Sequence, residues 1–385
     1  MNLELTEDQR LLMQSVDAIL PREFDFHRRR REDSARSRWA LFAEMGWLGQ
    51  PVGERWGGLG GAPMETGLLQ HAFGRHLVTE PFHACMVRAA RLLERLGSEA
   101  QCRHWLPRTI EGSARLALAH EEAGADDPYQ APTMRARRQS DGWRLAGRKT
   151  LAVGLPGAQA VLVSAALAEG GLRVFLLELP QPGLGLRVGR TVDGFAAADL
   201  WCTDLALPAQ ALVGADIDAQ PVVDRILAEA EVAACWDACG AATAAYEQTV
   251  AHARQRVQFG KPLADFQVVQ HRLAEMAVCC TEARAACELA SLRLAGADPD
   301  AVALAAMAKS KVGRCAEAVA KEAVQLHGAI GTTDELPVSA WFRRIAAFNV
   351  RGGSPETHAR LLGQHSLAGA RWRVSQTLPE QAGAA

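Results

Sequence analysis

Apolar positions in the first third of the chain recur at helical spacing. Leu12, Val16, Ile19 and Leu20 share one face behind Thr6 and Gln9, which are spaced as a capping box. A second helical stretch carries Trp39, Phe42 and Met45 and runs out in "GWLGQPVGERWGGLGG", whose glycines mark a loop. Helical text resumes from Glu65 to about His76 and from Val87 to Leu96. Near Leu116 the period changes. "TMRARRQSDGWRLAGRKT" sets Asp141-Gly142 between two extended runs, a hairpin signal. "AVLVSAALAEGGLRVFLLEL" gives two apolar β runs around Gly170-Gly171, and "ADLWCTDLALP" gives a strand ending at Pro208. No helix-length periodicity separates these strands, which predicts an antiparallel, barrel-like sheet. No GxGxxG follows any of them, so a Rossmann nucleotide site is not expected. From about Pro221 the text is alanine-rich and predicts helices over 222–256, 265–295, 299–327, 334–350 and 354–370. The expected fold is α+β: a helical domain over 1–115, a β domain over 116–218 and a long-helix bundle over 219–385.

Composition adds limits to that outline. The 385 residues can build two or three units with a large core. A net charge of −2 implies no general attraction to nucleic acid or to an anionic membrane. The arginine-rich run "FHRRRREDSARSR" interleaves acids and reads as a solvated linker. "MNLELTEDQR" has neither a basic n-region nor an apolar h-region, so no secretory signal is expected. No apolar run approaches the ~20 residues of a membrane span. The nine cysteines form no CxxC pair and mostly sit in helical text; reduced buried thiols, no metal site and a cytoplasmic protein are expected.

Three stretches carry chemistry. In "RVQFGKPLADFQVVQHRLAEM", Arg256 offers a forked guanidinium suited to a pyrophosphate, Phe259 an aromatic face, and Gly260 a tight turn. Gln267 and Gln325 offer amides that donate and accept. "LHGAIG" after Gln325 gives a turn where a ligand can reach main-chain N–H groups. Together with "LLERLGSEAQCRHWLPRTIEGSARLALAHEEAGADD", and in this order, they resemble the acyl-CoA dehydrogenase family over nearly the whole chain. The resemblance extends to its divergent members acting on steroid side-chain CoA thioesters, in which active and degenerate subunits pair in an α2β2 assembly. It implies FAD as cofactor and an acyl-CoA thioester as substrate. It implies a homo- or hetero-tetramer and an electron acceptor such as an electron-transfer flavoprotein. It further implies that Arg256, Gln258, Phe259, Gln325, Gly328 and Ala329 hold the ADP half of a FAD bound by a neighbouring subunit.

The same resemblance exposes departures. The family's carboxylate base usually lies in a Tyr-Glu-Gly-Thr stretch. Counted from Arg344 and Arg360, that glutamate position falls on Gly353 of "FNVRGGSPETHARLLG". Glu356 reads as a first-turn acid behind Ser354 as N-cap and Pro355 at N1, which accounts for it without catalysis. Some members keep the base on an earlier helix, and that position falls on Ala230, between Glu229 and Glu231. Two residues apart on a helix, at most one of these can face a given pocket. On the flavin side the family's Thr-Glu-Pro becomes His120-Glu121-Glu122, and its Trp and Thr become Leu151 and Val153, which cannot donate a hydrogen bond. Three functions remain open: an FAD-dependent acyl-CoA dehydrogenase with a relocated base, a non-catalytic subunit completing a partner's FAD site, and a flavin-dependent hydroxylase or oxidase.

Overall fold

The computed structural model describes residues 5–27, 38–296 and 298–368. Most of the arginine-rich run lies outside them. In chain order the elements are α1 (Glu7–Glu23), α2 (Trp39–Glu44), α3 (Pro63–Arg75), a π-helical stretch (His83–Ala90) continued by α4 (Arg91–Leu96), and α5 (Glu99–Ile110). Strands follow: β1 (Leu116–Ala119), β2 (Arg135–Gln139), β3 (Gly142–Val153), β4 (Ala160–Leu167), β5 (Leu172–Glu178), β6 (Gly185–Arg190) and β7 (Ala196–Pro208). Then come α6 (Gln220–Gln255), the short β8 (Val257–Gln258) and β9 (Lys261–Pro262), α7 (Gln267–Ala295), α8 (Ala301–His327), α9 (Val338–Phe348) and α10 (Pro355–Leu367). The order is helices, sheet, helices, as the periodicity predicts.

Contacts gather these elements into two compact units. One holds the described residues of Met1–Glu32, Ala62–Val78 and Glu231–Ala385; the other holds those of Asp33–Gly61 and Thr79–Ala230. In the first, α3 and α6 approach backbone to backbone. A Cβ at Gly74 would lie 1.9 Å from the Asp237 carbonyl oxygen, and one at Gly240 1.9 Å from that of His71. The helices can pack so closely only because these positions carry no side chain. The capping box of Thr6 and Gln9 forms, and Gln9 also donates from Nε2 to Glu65 at 2.8 Å, tying α1 to α3.

The second unit centres on the sheet, in the order β1-β4-β2-β3-β7-β6, with β5 also on β4. Most pairings are antiparallel, including the β2–β3 hairpin at Asp141-Gly142 and the β4–β5 pair around Gly170-Gly171. The departure from the antiparallel expectation is that β4 lies parallel to both β1 and β2. A parallel partner needs a long crossover, and here the whole β2–β3 excursion supplies the one from β1 to β4. Several elements escape the sequence reading, among them β1, β8 and β9 and the following two. The exposed edge strand β6 shows no buried alternation. Helix α5 contains Pro107, although a capping box at Ser98 and Gln101 announces its start.

Candidate functional site

The motif residues after α6 build a projecting arm. Helix α6 ends at Gln255, and the chain turns through the two-residue strands β8 and β9, closed by Leu263 N–H donating to Arg256 O at 2.9 Å. Phe259 and Gly260 at its tip both take positive φ, 52° and 82°. Lys261 Nζ sits 4.3 Å from the Phe266 ring centroid and donates to Asp265 O, which folds the hairpin onto the start of α7. Arg256, Gln258, Phe259 and Gln267 are all exposed, Phe259 by 93%. Among the described residues Arg256 has no carboxylate partner. Gln325, Gly328 and Ala329 are likewise exposed at the end of α8, where Gly328 takes φ 65° and its N–H closes onto Gln325 O. A guanidinium, an aromatic face and amides, all solvent-facing, suit the ADP half of FAD, although the Gln258 amide also donates to Val257 O at 2.8 Å.

The positions expected on the flavin-ring side are spent differently. His120 is buried; its Nδ1 lies 2.9 Å from Ser164 Oγ and its Nε2 3.1 Å from Pro128 O. Burial, then the nearby Lys149 charge, pushes its pKa down to about 4, so the ring is neutral. Lys149 is wholly buried and donates to His120 O, Glu122 Oε1 and Ser164 Oγ. Glu122, in the place of the family's proline, also receives the N–H groups of Thr133 and Met134. Burial alone would raise this carboxyl, but Lys149 and these donors outweigh it and hold the pKa at about 2. Leu151 sits in a bulge of β3 with φ 55°, its N–H held by Asp199 Oδ1 at 3.1 Å. Val153 packs with Ala84 and Ala197. No side chain at 120, 151 or 153 offers a donor to a ring system. The adenosine end of FAD fits this chain; the ring-side positions contribute backbone and apolar surface only.

The double glycine lies between α9 and α10. Arg344, buried on α9, pairs with Asp237 at 3.3 Å and donates to the Val78 carbonyl. At the other end of the turn, Ser354 caps α10 by accepting from Thr357 N–H at 3.1 Å, with Pro355 at N1 and Glu356 exposed in the first turn. A Cβ at Gly313 would lie 2.4 Å from Pro355, so α8 offers a glycine where α10 begins. Gly352 and Gly353 take φ 70° and 92°, conformations that L side chains rarely adopt. His358, fully buried, bonds through Nε2 to Gly352 O at 2.7 Å.

Glu231 meets this turn. A Cβ at Gly352 would fall 2.4 Å from Glu231 Oε2, so the missing side chain is what admits the carboxylate. Its other oxygen, Oε1, lies 2.7 Å from Lys309 Nζ. Lys309 is fully buried on α8 and also donates to Phe348 O at 2.6 Å and Arg351 O at 2.9 Å. Glu229 points elsewhere: its oxygens pair with Arg225 at 2.8 Å and Arg91 at 3.5 Å. Ala230 between them is buried, its carbonyl held by His83 Nε2 at 2.8 Å. The sequence reading named Glu229 and Glu231 together and did not single out Lys309. The signal was present: Lys309 stands on the apolar stripe Ala305, Val312 and Ala316, where a lysine has no ordinary reason to be.

The remaining expectations concern metals and membranes. Among the described residues no cluster of three or more His, Cys, Asp or Glu could hold a metal ion, and no helix is long and apolar enough to cross a membrane. All nine cysteines are free thiols, seven of them buried.

Comparison with known proteins gives likenesses over most of the chain. The model described as "Acyl-CoA dehydrogenase, N-terminal domain" matches residues 6–113, and that described as "Acyl-CoA dehydrogenase, C-terminal domain" matches 221–367. Acryloyl-CoA reductase (NADH) of Anaerotignum propionicum is 28% identical over 327 residues, 82% of either chain. Among solved structures, a variant of the Tcur3481-Tcur3483 steroid ACAD is 29% identical with a TM-score of 0.85, covering 94% of this chain and 99% of that one. The ChsE4-ChsE5 complex of Mycobacterium tuberculosis is 25% identical with a TM-score of 0.86, covering 95% and 99%.

Proposed function

The chain belongs to the acyl-CoA dehydrogenase family, and from that premise we propose that it serves the α,β-desaturation of an acyl-CoA thioester, with FAD, in an assembly of such chains. The observation that carries the reading is Glu231 against the double glycine. The family's usual glutamate position is glycine here, and a carboxylate from α6 reaches that same turn. Glu231 would accept the α-proton through Oε2, and the chemistry that FAD would supply when bound is uptake of a hydride from the β-carbon. Arg256, Phe259 and the exposed amides of Gln258, Gln267 and Gln325 hold the ADP half of the cofactor seated on a neighbouring subunit, as do the main-chain groups of Gly328 and Ala329. An electron-transfer flavoprotein would be a suitable redox partner. The steroid-acting and hetero-complex relatives support a bulky acyl group and a heteromeric assembly. Free cysteines throughout favour the cytoplasm.

A second reading has its own observation. His120 is turned into the sheet's core and Leu151 and Val153 carry no donors, which favours a non-catalytic subunit that completes a partner's FAD site. The visible spectrum of the chain purified alone separates the two. A flavin band at full occupancy that bleaches anaerobically with butyryl-CoA, octanoyl-CoA or a steroid side-chain CoA thioester supports the first. Replacing Glu231 by Gln in that protein is expected to slow bleaching by ~10²–10⁴-fold. Colourless protein that gains flavin only with a co-expressed homologue establishes the second.

A further inference from the structure

Resting on Glu231 as the base, we propose that the buried Lys309 is its positioning residue: it commits one carboxylate oxygen and leaves the other as the proton-accepting atom at the glycine turn. Two of the contacts of Lys309 are the carbonyls of Phe348 and Arg351, which end α9 and begin the turn. Helix C-termini attract cations, and these carbonyls have no partner within the helix. The Phe348 ring lies 3.6 Å from Nζ and closes another side. Nζ is therefore fixed by backbone and ring, whatever Glu231 does.

The carboxylate is then placed by a cation that cannot move. Oε1 sits 2.7 Å from Nζ, and Oε2 is left beside Gly352, where even a methyl group would collide with it. The buried thiol of Cys235, one turn along α6, is pushed well above its ordinary value by burial and then by the Glu231 charge, and His358 from α10 bonds to the Gly352 carbonyl. Lys309 thus does two things with one charge. It finishes α9 and it aims Glu231, so the backbone of the turn and the base move as one piece. The proton step balances simply: the α C–H bond breaks, its proton passes to Oε2, and the neutral carboxyl that results keeps Oε1 against the ammonium.

The test uses the flavin-loaded assembly in which the wild-type chain turns over. Lys309→Met is expected to lower the flavin-reduction rate at least tenfold at unchanged KM and to enlarge the primary isotope effect with α,α-dideuterated acyl-CoA. A purely structural lysine would lower flavin content and melting temperature and leave the isotope effect per bound flavin alone; that result overturns the proposal. Glu231→Asp retains the buried charge pair and covers the case in which Lys309→Met does not fold. Its carboxylate is one methylene shorter and cannot span the ammonium and the turn together, so the same rate loss and larger isotope effect are expected. A wild-type isotope effect in Glu231→Asp overturns the proposal too. A second readout, independent of turnover, is deuterium uptake at the α-carbon of butyryl-CoA in D2O by the flavin-free chain, expected to fall at least tenfold in Lys309→Met. Unchanged rates in Glu231→Gln, or a wild-type chain without activity of its own, refute the base reading itself and this inference with it; unchanged behaviour in Lys309→Met and Glu231→Asp alone refutes only the inference.

Discussion

The arm at 256–267 and the strand segments around His120 and Lys149 come from the same family pattern and have opposite fates. On the arm, polar and aromatic side chains stand in solvent, and Arg256 and Phe259 have few ties to their own fold. In the β unit, the corresponding polar side chains are drawn inward: His120 onto Ser164, Glu122 onto Lys149. A folded chain satisfies its buried polar groups internally because leaving one unpaired costs about 1–3 kcal/mol. Exposed groups bear no such obligation and stay available to a neighbour. A side chain's partners within its own chain thus tell whether it still serves a ligand or has been taken over by the fold.

Four measurements press on that contrast. The largest effect belongs to the inward set. Lys149→Met leaves Glu122 buried without its cation and is expected to cost ~3–5 kcal/mol of stability, seen as a lower urea midpoint. Acid should attack the same cluster in wild type. His120 has a folded pKa near 4 against an ordinary 6.5, so its contribution is lost as pH falls from about 6.5 to 4. Glu122, held at about 2 against an ordinary 4.5, adds a loss from about 4.5 downward. Urea midpoints between pH 7 and pH 3 check both, and a flat profile would mean the cluster contributes nothing. On the arm the effect is smaller and of another kind. Arg256→Ala should leave the urea midpoint within ~0.5 kcal/mol of wild type and weaken FAD binding by the assembly ~10- to 100-fold. Unchanged FAD affinity would refute the cofactor role. The smallest effect is expected at Glu356, exposed in the first turn of α10. Glu356→Gln should cost ~0.3–1 kcal/mol through the helix dipole and leave flavin reduction untouched; a large rate loss would move the base from Glu231 to Glu356.

Sequence alone determined the order of elements, because hydrophobic period is a local property. The Thr6 capping box, the Asp141-Gly142 hairpin and the Ser354-Pro355 helix start were legible for the same reason. So was the double glycine ahead of that helix start, since it is read directly along the chain. Which acid could serve as base was not legible. Glu229 and Glu231 look alike in the sequence, and only the partners brought by other elements separate them: Arg91 and Arg225 on one side, Lys309 and the Gly352 turn on the other. Lys309 itself is separated from Glu231 by most of α6, all of α7 and the start of α8. Its charge is tolerable only where Phe348 O, Arg351 O and Glu231 converge. That convergence is a long-range packing event, which no local pattern encodes, because burying a charge depends on what surrounds it in space and not on its neighbours along the chain.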